Sequence, residues 1–366
     1  MEKRKLRLGI LCGGRSAEHE ISLISAKSVI DALDKDKYDI FLIGIDKSGA
    51  WHLRDHTSCL MHAHDPKLIH LHGEKQQIAL LPRDQGKEIV GYQGNQLNTK
   101  ITLDVIFPIL HGTYGEDGTV QGLLKLANIP FVGAGVLGSA VGMDKDVMKR
   151  LLRDAQLPIA KFLTLRSHEI LAFQEVVEQL GLPFFIKPAN LGSSVGISKV
   201  KSEQDYLTAL QHAFTFDRKV VIEEYIMGRE IECSVLGNEH PLASLPGEVI
   251  PQHEFYSYEA KYLDEEGAAF NIPVILPSEL VEKIQHTAIQ AYQTLCCEGM
   301  ARVDFFLKEN GEVLINEINT IPGFTKISMY PKLWQVSGIP YSELLDRLIQ
   351  LALDRFDKEK ALKTIV

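Results

Sequence analysis

"MARVDFFLKENGEVLINEIN", residues 300–319, is the stretch whose reading decides the fold. Two apolar runs flank Asn310-Gly311, a pair suited to a two-residue type I′ turn, so the stretch predicts a β-hairpin. With that pair at the tip, Glu309 stands opposite Glu312, and counting outward sets Asp304 opposite Glu317 and Arg302 opposite Asn319. Side chains alternate faces along a strand. One face then carries Val303, Phe305, Leu307, Leu314 and Ile318, which is a core face. The other gathers Arg302, Asp304, Glu317 and Asn319. Two carboxylates and an amide oxygen are hard donors, the kind Mg²⁺ or Mn²⁺ accepts alongside water and phosphate. Ordinary cross-strand charge pairing on a solvated face accounts for the same spacing, so the hairpin alone leaves both readings open.

The rest of the chain narrows the choice. At 366 residues it can hold two or three domains with substantial cores. Composition is that of a globular protein, 45% hydrophobic and 24% charged. A net charge of -9 argues against a broad basic surface for nucleic acid. The cysteines Cys12, Cys59, Cys233, Cys296 and Cys297 show no CxxC spacing, which fits thiols kept reduced. "MEKRKLRLGILCGG" begins basic, but its apolar run is too short for a signal peptide, and no stretch reaches the length of a membrane span. These features predict a soluble, cytoplasmic protein with no membrane or nucleic-acid partner.

The order of elements is informative. "LRLGILCGG" reads as a strand, "SAEHEISLISAKSVIDALD" as a helix with Leu23, Ala26, Ile30 and Leu33 inward and Ser16 at its N-cap, and "YDIFLIGID" as a second strand. Strand, helix, strand predicts a parallel sheet with right-handed crossovers. Residues 52–100 are rich in His, Gln and Asn and carry a weak pattern, read as strands and excursions. "DVIFPILHG" is another buried strand, and "GTVQGLLKLANIPFVG" a helix running into a short strand. A helix, "DKDVMKRLLRDAQLP", opens a second unit. There Ser202 caps a helix to about His212, and "KVVIEEYI" is a strand. From "GREIECSVLG" a third unit follows, with a helix at about 278–297 and the hairpin. The expected divisions are 1–140, 141–227 and 228–366.

Two glycine motifs carry chemistry. "GAGVLG" (Gly133, Gly135, Gly138) matches the dinucleotide pattern, but Pro158 stands where its acidic partner is needed, and the first turn reads "CGGRSAEHE". A nicotinamide dehydrogenase is therefore set aside. "KPANLGSSVG" is stronger. Lys187 ends an apolar strand, and Gly192, Ser193, Ser194 and Gly196 form a loop whose N–H groups can cradle phosphate. It lacks the GK[ST] of a Walker loop. A phosphate cradle, a metal-type hairpin and an open α/β unit together point to ATP held between two sheets.

From "GGRSAEHEISL" to "EINTIPGFTKISMYP" the chain resembles the D-alanine–D-alanine ligases of the ATP-grasp superfamily, in their longer form. "HGTYGEDGTVQG", "KPANLGSSVG", "YEAKYLDEEGA", "GMARVDFF" and "NEINTIPGFT" stand in the family's order, and the resemblance covers almost the whole chain. It implies a three-domain α/β ATP-grasp architecture, an N-terminal open parallel-sheet domain followed by two α+β lobes that sandwich ATP. It implies a homodimer that joins two D-alanines through an acyl phosphate, for peptidoglycan precursors, with ATP and two Mg²⁺ or Mn²⁺. In the family's scheme Asp304 and Glu317 hold one ion, and Glu317 and Asn319 the other. Lys145 and Lys187 contact phosphates, with Ser194 in the cradle. Glu223, Glu224, Tyr225, Ile226 and Glu230 grip adenine and ribose. Lys261 reaches the transferred phosphoryl group from a lid at 251–267. Arg302 and the Gly323 N–H stabilise the oxyanion. Glu18 binds the first ammonium, with His111 nearby and Ser193 and Tyr262 completing a hydrogen-bonded triad, and Ser328 holds the second carboxylate.

Two other functions fit parts of the pattern. A D-alanine–D-lactate or D-alanine–D-serine ligase shares the fold, and these differ in the "EAKY" loop, where Tyr262 favours the dipeptide. A histidine there could become a cation and repel the incoming ammonium. A non-catalytic nucleotide-binding regulator is the other class, and intact Asp304, Glu317, Asn319, Lys187 and Arg302 speak against it.

Overall fold

The chain opens with β1 (Leu6–Gly13), whose last six residues are all buried, and passes through α1 (His19–Ala32) to β2 (Tyr38–Ile45). A computed structural model describes residues 4–54, 60–61, 69–71, 76–82, 87–93, 96–251, 268–325 and 327–363. β1 pairs in parallel with β2 and with β9 (Val105–Ile109), so the centre of this first sheet is parallel as its strand–helix–strand pattern requires. Four described strands between 51 and 102 extend it antiparallel. β3 (Trp51–Arg54), β6 (Gln76–Leu80), β7 (Glu88–Gln93) and β8 (Gln96–Thr102) complete the order β8-β7-β6-β3-β2-β1-β9. β4 (Leu60–Met61) and β5 (His70–Leu71) pair separately. Ile78, Ile89 and Ile101 of the extension join one core, while most of its other described positions are half-buried or exposed, which is why its apolar pattern is thin.

α1 begins later than its sequence implies. Glu18, not Ser16, occupies the N-cap position, and Ser16 Oγ instead accepts the Glu18 N–H at 3.2 Å. Leu23, Ala26, Ile30 and Leu33 point into the core as expected. The "GAGVLG" run leads into α3 (Val136–Met143), after α2 (Thr119–Leu126) and a single bridge at Phe131 in place of a strand. α4 (Lys145–Asp154) follows, capped by Asp144, whose Oδ1 accepts from the N–H groups of Asp146 and Val147 at 3.1 Å.

The second sheet runs β10-β13-β11-β12, built from β10 (Phe162–Arg166), β11 (Phe184–Pro188), β12 (Ser198–Val200) and β13 (Lys219–Glu224). α5 (Phe173–Leu180) and α6 (Glu203–Phe214) cover it, and Ser202 caps α6 by accepting the Asp205 N–H. The third sheet, β17-β16-β14-β18-β19, comprises β14 (Arg229–Gly237), β16 (Gly247–Pro251), β17 (Ala268–Asn271), β18 (Gly299–Leu307) and β19 (Val313–Asn319), with β15 (Leu242–Ala243) beside β14. α7 (Ser278–Thr294) packs on its apolar face. α8 (Met329–Val336) and α9 (Tyr341–Lys360) join the first sheet through a shared core that includes Phe107, Phe324, Tyr330 and Trp334. Among the described residues, no helix is long and apolar enough to cross a membrane.

The hairpin holds two differences from its sequence reading, and they cancel. Its loop has three residues, 309–311, because Lys308 N–H donates to Glu312 O at 2.9 Å. Of the turn pair only Gly311 is left-handed, φ 79°, where a type I′ turn needs both. That shifts every pair near the tip by one, so Phe305 faces Ile315 and Leu307 faces Val313. A β-bulge after Asp304 absorbs the extra residue, Asn316, and restores Asp304 opposite Glu317 and Arg302 opposite Asn319. The polar pairs therefore stand as counted, for a different reason. Leu314 does change faces: it joins Ala160, Ile226 and Phe306 rather than the core under β18.

Candidate active site

The polar face of the hairpin is a tight charge cluster. Arg302 forms a two-pronged pair with Asp304, Nε to Oδ1 at 2.7 Å and an η-nitrogen to Oδ2 at 2.8 Å, and its Nε lies 2.9 Å from Glu232 of the neighbouring β14. Asn319 turns its amide N–H to Asp304 Oδ2 at 3.0 Å. Burial works against the Arg302 charge, but Asp304, Glu232 and Glu317 outweigh it and push its pKa up. Asp304, Glu232 and Glu317 surround one guanidinium, and Asp304 faces Glu317 across two strands. Oxygen donors so placed fit a hard divalent cation whose other ligands are phosphates and water. Among the described residues no cluster of three or more His, Cys, Asp or Glu side chains forms a self-sufficient metal cage.

Across from Glu317 lie the lysines. Lys145 sits in the first turn of α4, where it donates to Leu191 O at 2.8 Å and approaches Glu317 Oε2 at 3.4 Å. Lys187, at the end of β11, pairs with Glu223 and lies 3.4 Å from the bulged Asn316. The bulge thus bears on the site through Asn316, whose Oδ1 faces Lys187. Lys149, one helical turn after Lys145 and only 1% exposed, pairs with the other Glu223 oxygen. Burial raises the Glu223 pKa, yet the two lysines overcome it and hold the carboxyl down at about 2. Lys149 itself is pushed down, since burial outweighs its partners, whereas Lys187 is pushed up by Glu223.

Ile226, Leu314, Phe306 and Ala160 form an apolar patch between the second and third sheets, next to Glu223. Glu224 folds its side chain back, accepting the Lys161 N–H at 2.7 Å, and so does not simply face solvent. Tyr225 is exposed beside Lys199, whose ammonium is 4.5 Å from the ring centre. Glu230 is half-buried on β14 and contributes to the field at Lys187.

A second group lies where the first sheet meets the glycine loop. Glu18 is 8% exposed and accepts a hydrogen bond from Ser193 Oγ, 175 residues away in sequence. Ser193 and Ser194 are both left-handed, with φ 52° and 59°. Gly112 lies so close to Glu18 that a β-carbon there would sit 2.8 Å from Oε2. His111 is buried with both ring nitrogens occupied, Nδ1 by Ile321 O at 3.0 Å and Nε2 by Ser25 Oγ at 3.2 Å. Burial pushes its pKa down, so the ring is neutral. Glu116 is half-buried. Burial and the charge of Glu18 raise its pKa to about 8, against two backbone N–H donors. Ser328 stands at the N-cap of α8, its Oγ accepting the Thr325 N–H at 3.0 Å, with Gly323 packed on it.

The structure thus brings Glu18 and Ser193 together, and sets Lys145, Lys187, Glu223, Arg302, Asp304, Glu317 and Asn319 in one network. Lys261 and Tyr262, and the 251–267 lid apart from its first residue, lie outside the described residues. Four residues of the network escaped the sequence reading. Lys149 is signalled by its i, i+4 spacing from Lys145. Glu232 is signalled by the alternating acids of "REIEC", and Asn316 only by the bulge. Glu116, between two glycines in "GEDG", reads locally as a turn residue.

Known proteins resemble this chain along most of its length. Family profiles described as D-ala D-ala ligase N-terminus and C-terminus match residues 7–134 and 151–350. The chain is 55% identical to a D-alanine–D-alanine ligase of Oceanobacillus iheyensis, over 98% of each chain. The solved D-alanine–D-alanine ligase of Coxiella burnetii superposes with a TM-score of 0.86 at 42% identity, covering 98% of this chain and 97% of that one. A D-Ala:D-Ser ligase of Enterococcus faecalis superposes with a TM-score of 0.83 at 35% identity, covering 95% and 100%.

Proposed function

The chain belongs to the D-alanine–D-alanine ligase family, an ATP-grasp family of ATP-dependent ligases, and from that premise we propose that it joins two D-alanines into the dipeptide used for peptidoglycan precursors. The observation that carries the reading is the face-to-face placement of the Arg302–Asp304–Glu317–Asn319 cluster and the Lys145 and Lys187 ammonium groups. Oxygen donors on one side and cations on the other suit a polyphosphate with its metal. A relative 55% identical along nearly the full chain is a D-alanine–D-alanine ligase, which favours D-alanine as acceptor.

The roles follow from position. The adenine ring lies in the apolar patch of Ile226, Leu314 and Phe306, with Tyr225 at its mouth and the Glu223–Glu224 strand end alongside. Glu230 faces the ribose. Lys187 and Lys145 hold phosphate oxygens, and the Ser193–Ser194 loop offers its N–H groups. Asp304, Glu317 and Asn319 would hold Mg²⁺ or Mn²⁺, which neutralises charge on the phosphates. Glu18, oriented by Ser193, takes the ammonium of the first D-alanine. Its carboxylate attacks the γ-phosphorus, ADP leaves, and an acyl phosphate forms. The second D-alanine, its carboxylate at Ser328, attacks as a neutral amine. The developing oxyanion is met by Arg302 and the Gly323 N–H before phosphate departs. Lys261 and Tyr262 act from the lid, Lys261 on the transferring phosphoryl group and Tyr262 in the hydrogen-bonded triad with Glu18 and Ser193. The protein works as a cytoplasmic homodimer.

The test is phosphate release from ATP with D-alanine, L-alanine, D-lactate or no addition. Release that requires D-alanine, with the dipeptide recovered, is the expected result. Equal release in all four conditions would sink the ligase reading.

A further inference from the structure

Ile321 lies two residues after Asn319 and two before Gly323, on the exit of β19, and both of its backbone groups are held by one distant loop. Its N–H donates to Glu116 Oε1 at 3.1 Å, and its carbonyl accepts from His111 Nδ1 at 3.0 Å. The other Glu116 oxygen accepts the Gly112 N–H at 2.6 Å. Ser25 closes the ring, since its Oγ meets His111 Nε2 at 3.2 Å and accepts the Phe324 N–H at 3.4 Å. These bonds fix the histidine tautomer. Nδ1 must carry the proton to face a carbonyl, so Nε2 accepts from the Ser25 hydroxyl.

We propose that Glu116 is a positioning residue for amide-bond formation, gripping the Gly112 and Ile321 N–H groups at once so that the Gly323 N–H keeps its aim relative to Glu18. Each of its oxygens accepts from a backbone donor. The two donors belong to segments 209 positions apart, one packed on Glu18 and the other leading to the oxyanion donor. A carboxyl held by backbone N–H donors on both oxygens is rigid, and an oxyanion site works only while its donors stay aimed. His111 serves the same grip from the carbonyl side, which gives it a structural reason to be neutral and buried. The inference rests on the acyl-phosphate reading above, because only the second step of that reaction builds an oxyanion.

The experiment separates the two steps. In Glu116→Gln one acceptor oxygen becomes an NH₂ group that must face a backbone N–H, while shape is kept. Dipeptide formation is measured beside D-alanine-dependent positional isotope exchange in ATP labelled at the βγ bridge, which reports acyl phosphate formation. The expected outcome is a loss of about 10- to 100-fold in dipeptide turnover with exchange within about two-fold of wild type. Glu116→Asp, which keeps two oxygens on a shorter arm, shows the same split to a smaller extent and carries the test if the Gln variant does not fold. Equal loss of both rates, or no loss of either, overturns the proposal. Absence of D-alanine-dependent exchange in the wild type removes the acyl-phosphate reading itself, and this inference with it.

Discussion

The two ends of the site bury opposite surpluses of charge. At the nucleotide end Lys145, Lys149 and Lys187 surround Glu223 and Glu317, three cations to two anions. At the substrate end Glu18 supplies the negative charge: burial, and then the charge of Glu18, raise the pKa of Glu116 to about 8, and His111 between the loops is neutral. Each imbalance is costly alone, since a buried unpaired charge loses its hydration. Each is complementary to what the proposed reaction brings, a polyphosphate at one end and an ammonium at the other. Arg302 sits between them, neutralised by Asp304 and Glu232 until chemistry needs it.

The sharpest way to break that contrast is at the shared carboxylate. Glu317→Gln removes the charge that faces Lys145 and offers the metal to both phosphate-side positions. Turnover is expected to fall at least about 10³-fold, about 4 kcal/mol, with unfolding by urea unchanged. A variant that turns over near the wild-type rate at low millimolar Mg²⁺ would remove Glu317 from the metal site.

Glu223→Gln tests the lysine end through stability. The variant leaves Lys149 and Lys187 buried without their shared partner, a loss on the order of 3 kcal/mol at pH 7. The sign of its pH dependence is set by the lowered pKa. A carboxyl held at about 2, against an ordinary 4.5, stabilises the fold above 4.5 and loses that contribution as pH falls toward 2. The gap between wild type and variant in urea midpoint should therefore be widest at neutral pH and narrow below pH 4.5. A gap independent of pH would mean that Glu223 is not the buried counter-ion.

The substrate end is probed by Glu18→Gln. Losing the charge but keeping the Ser193 hydrogen bond is expected to raise KM for D-alanine about 30-fold, about 2 kcal/mol, with KM for ATP little changed. Equal rises in both constants would show that the two ends are not separately tuned.

How much of this was legible depended on whether the signal was periodic or local. Strands buried on both faces, such as β1 and β9, announce themselves by continuous apolar runs. The strands of the extension β3–β8 are short and carry Gln and Asn, so pattern alone left it open. The polar pairs of the hairpin came out as counted only because the extra loop residue and the bulge cancel. Glu116 was not countable, since its role comes from a backbone donor 205 positions away, which no spacing rule reaches. Ser16 misled because capping residues are read from type, while Glu18 was drawn into the cap position beside Ser193.

The smallest expected effect concerns the hairpin tip, where two errors of counting cancelled. In a type I′ turn both Asn310 and Gly311 are left-handed, and replacing either with alanine strains the backbone. In the three-residue loop only Gly311 is, at φ 79°, and nothing lies within 4 Å of where its β-carbon would stand. Gly311→Ala then costs only the left-handed penalty, about 1 kcal/mol, with no clash added. Asn310→Ala loses one exposed side-chain bond, Oδ1 to the Glu312 N–H at 3.0 Å, and costs less. Neither touches Asp304 or Glu317, because the bulge at Asn316 sets their register independently of the loop. The check is a pair of urea titrations with turnover measured alongside. Stability should fall by more in Gly311→Ala than in Asn310→Ala, with kcat equal to wild type in both. Equal destabilisation would restore the two-residue turn, and a fall in kcat would mean that the tip, not the bulge, holds the polar pairs in place.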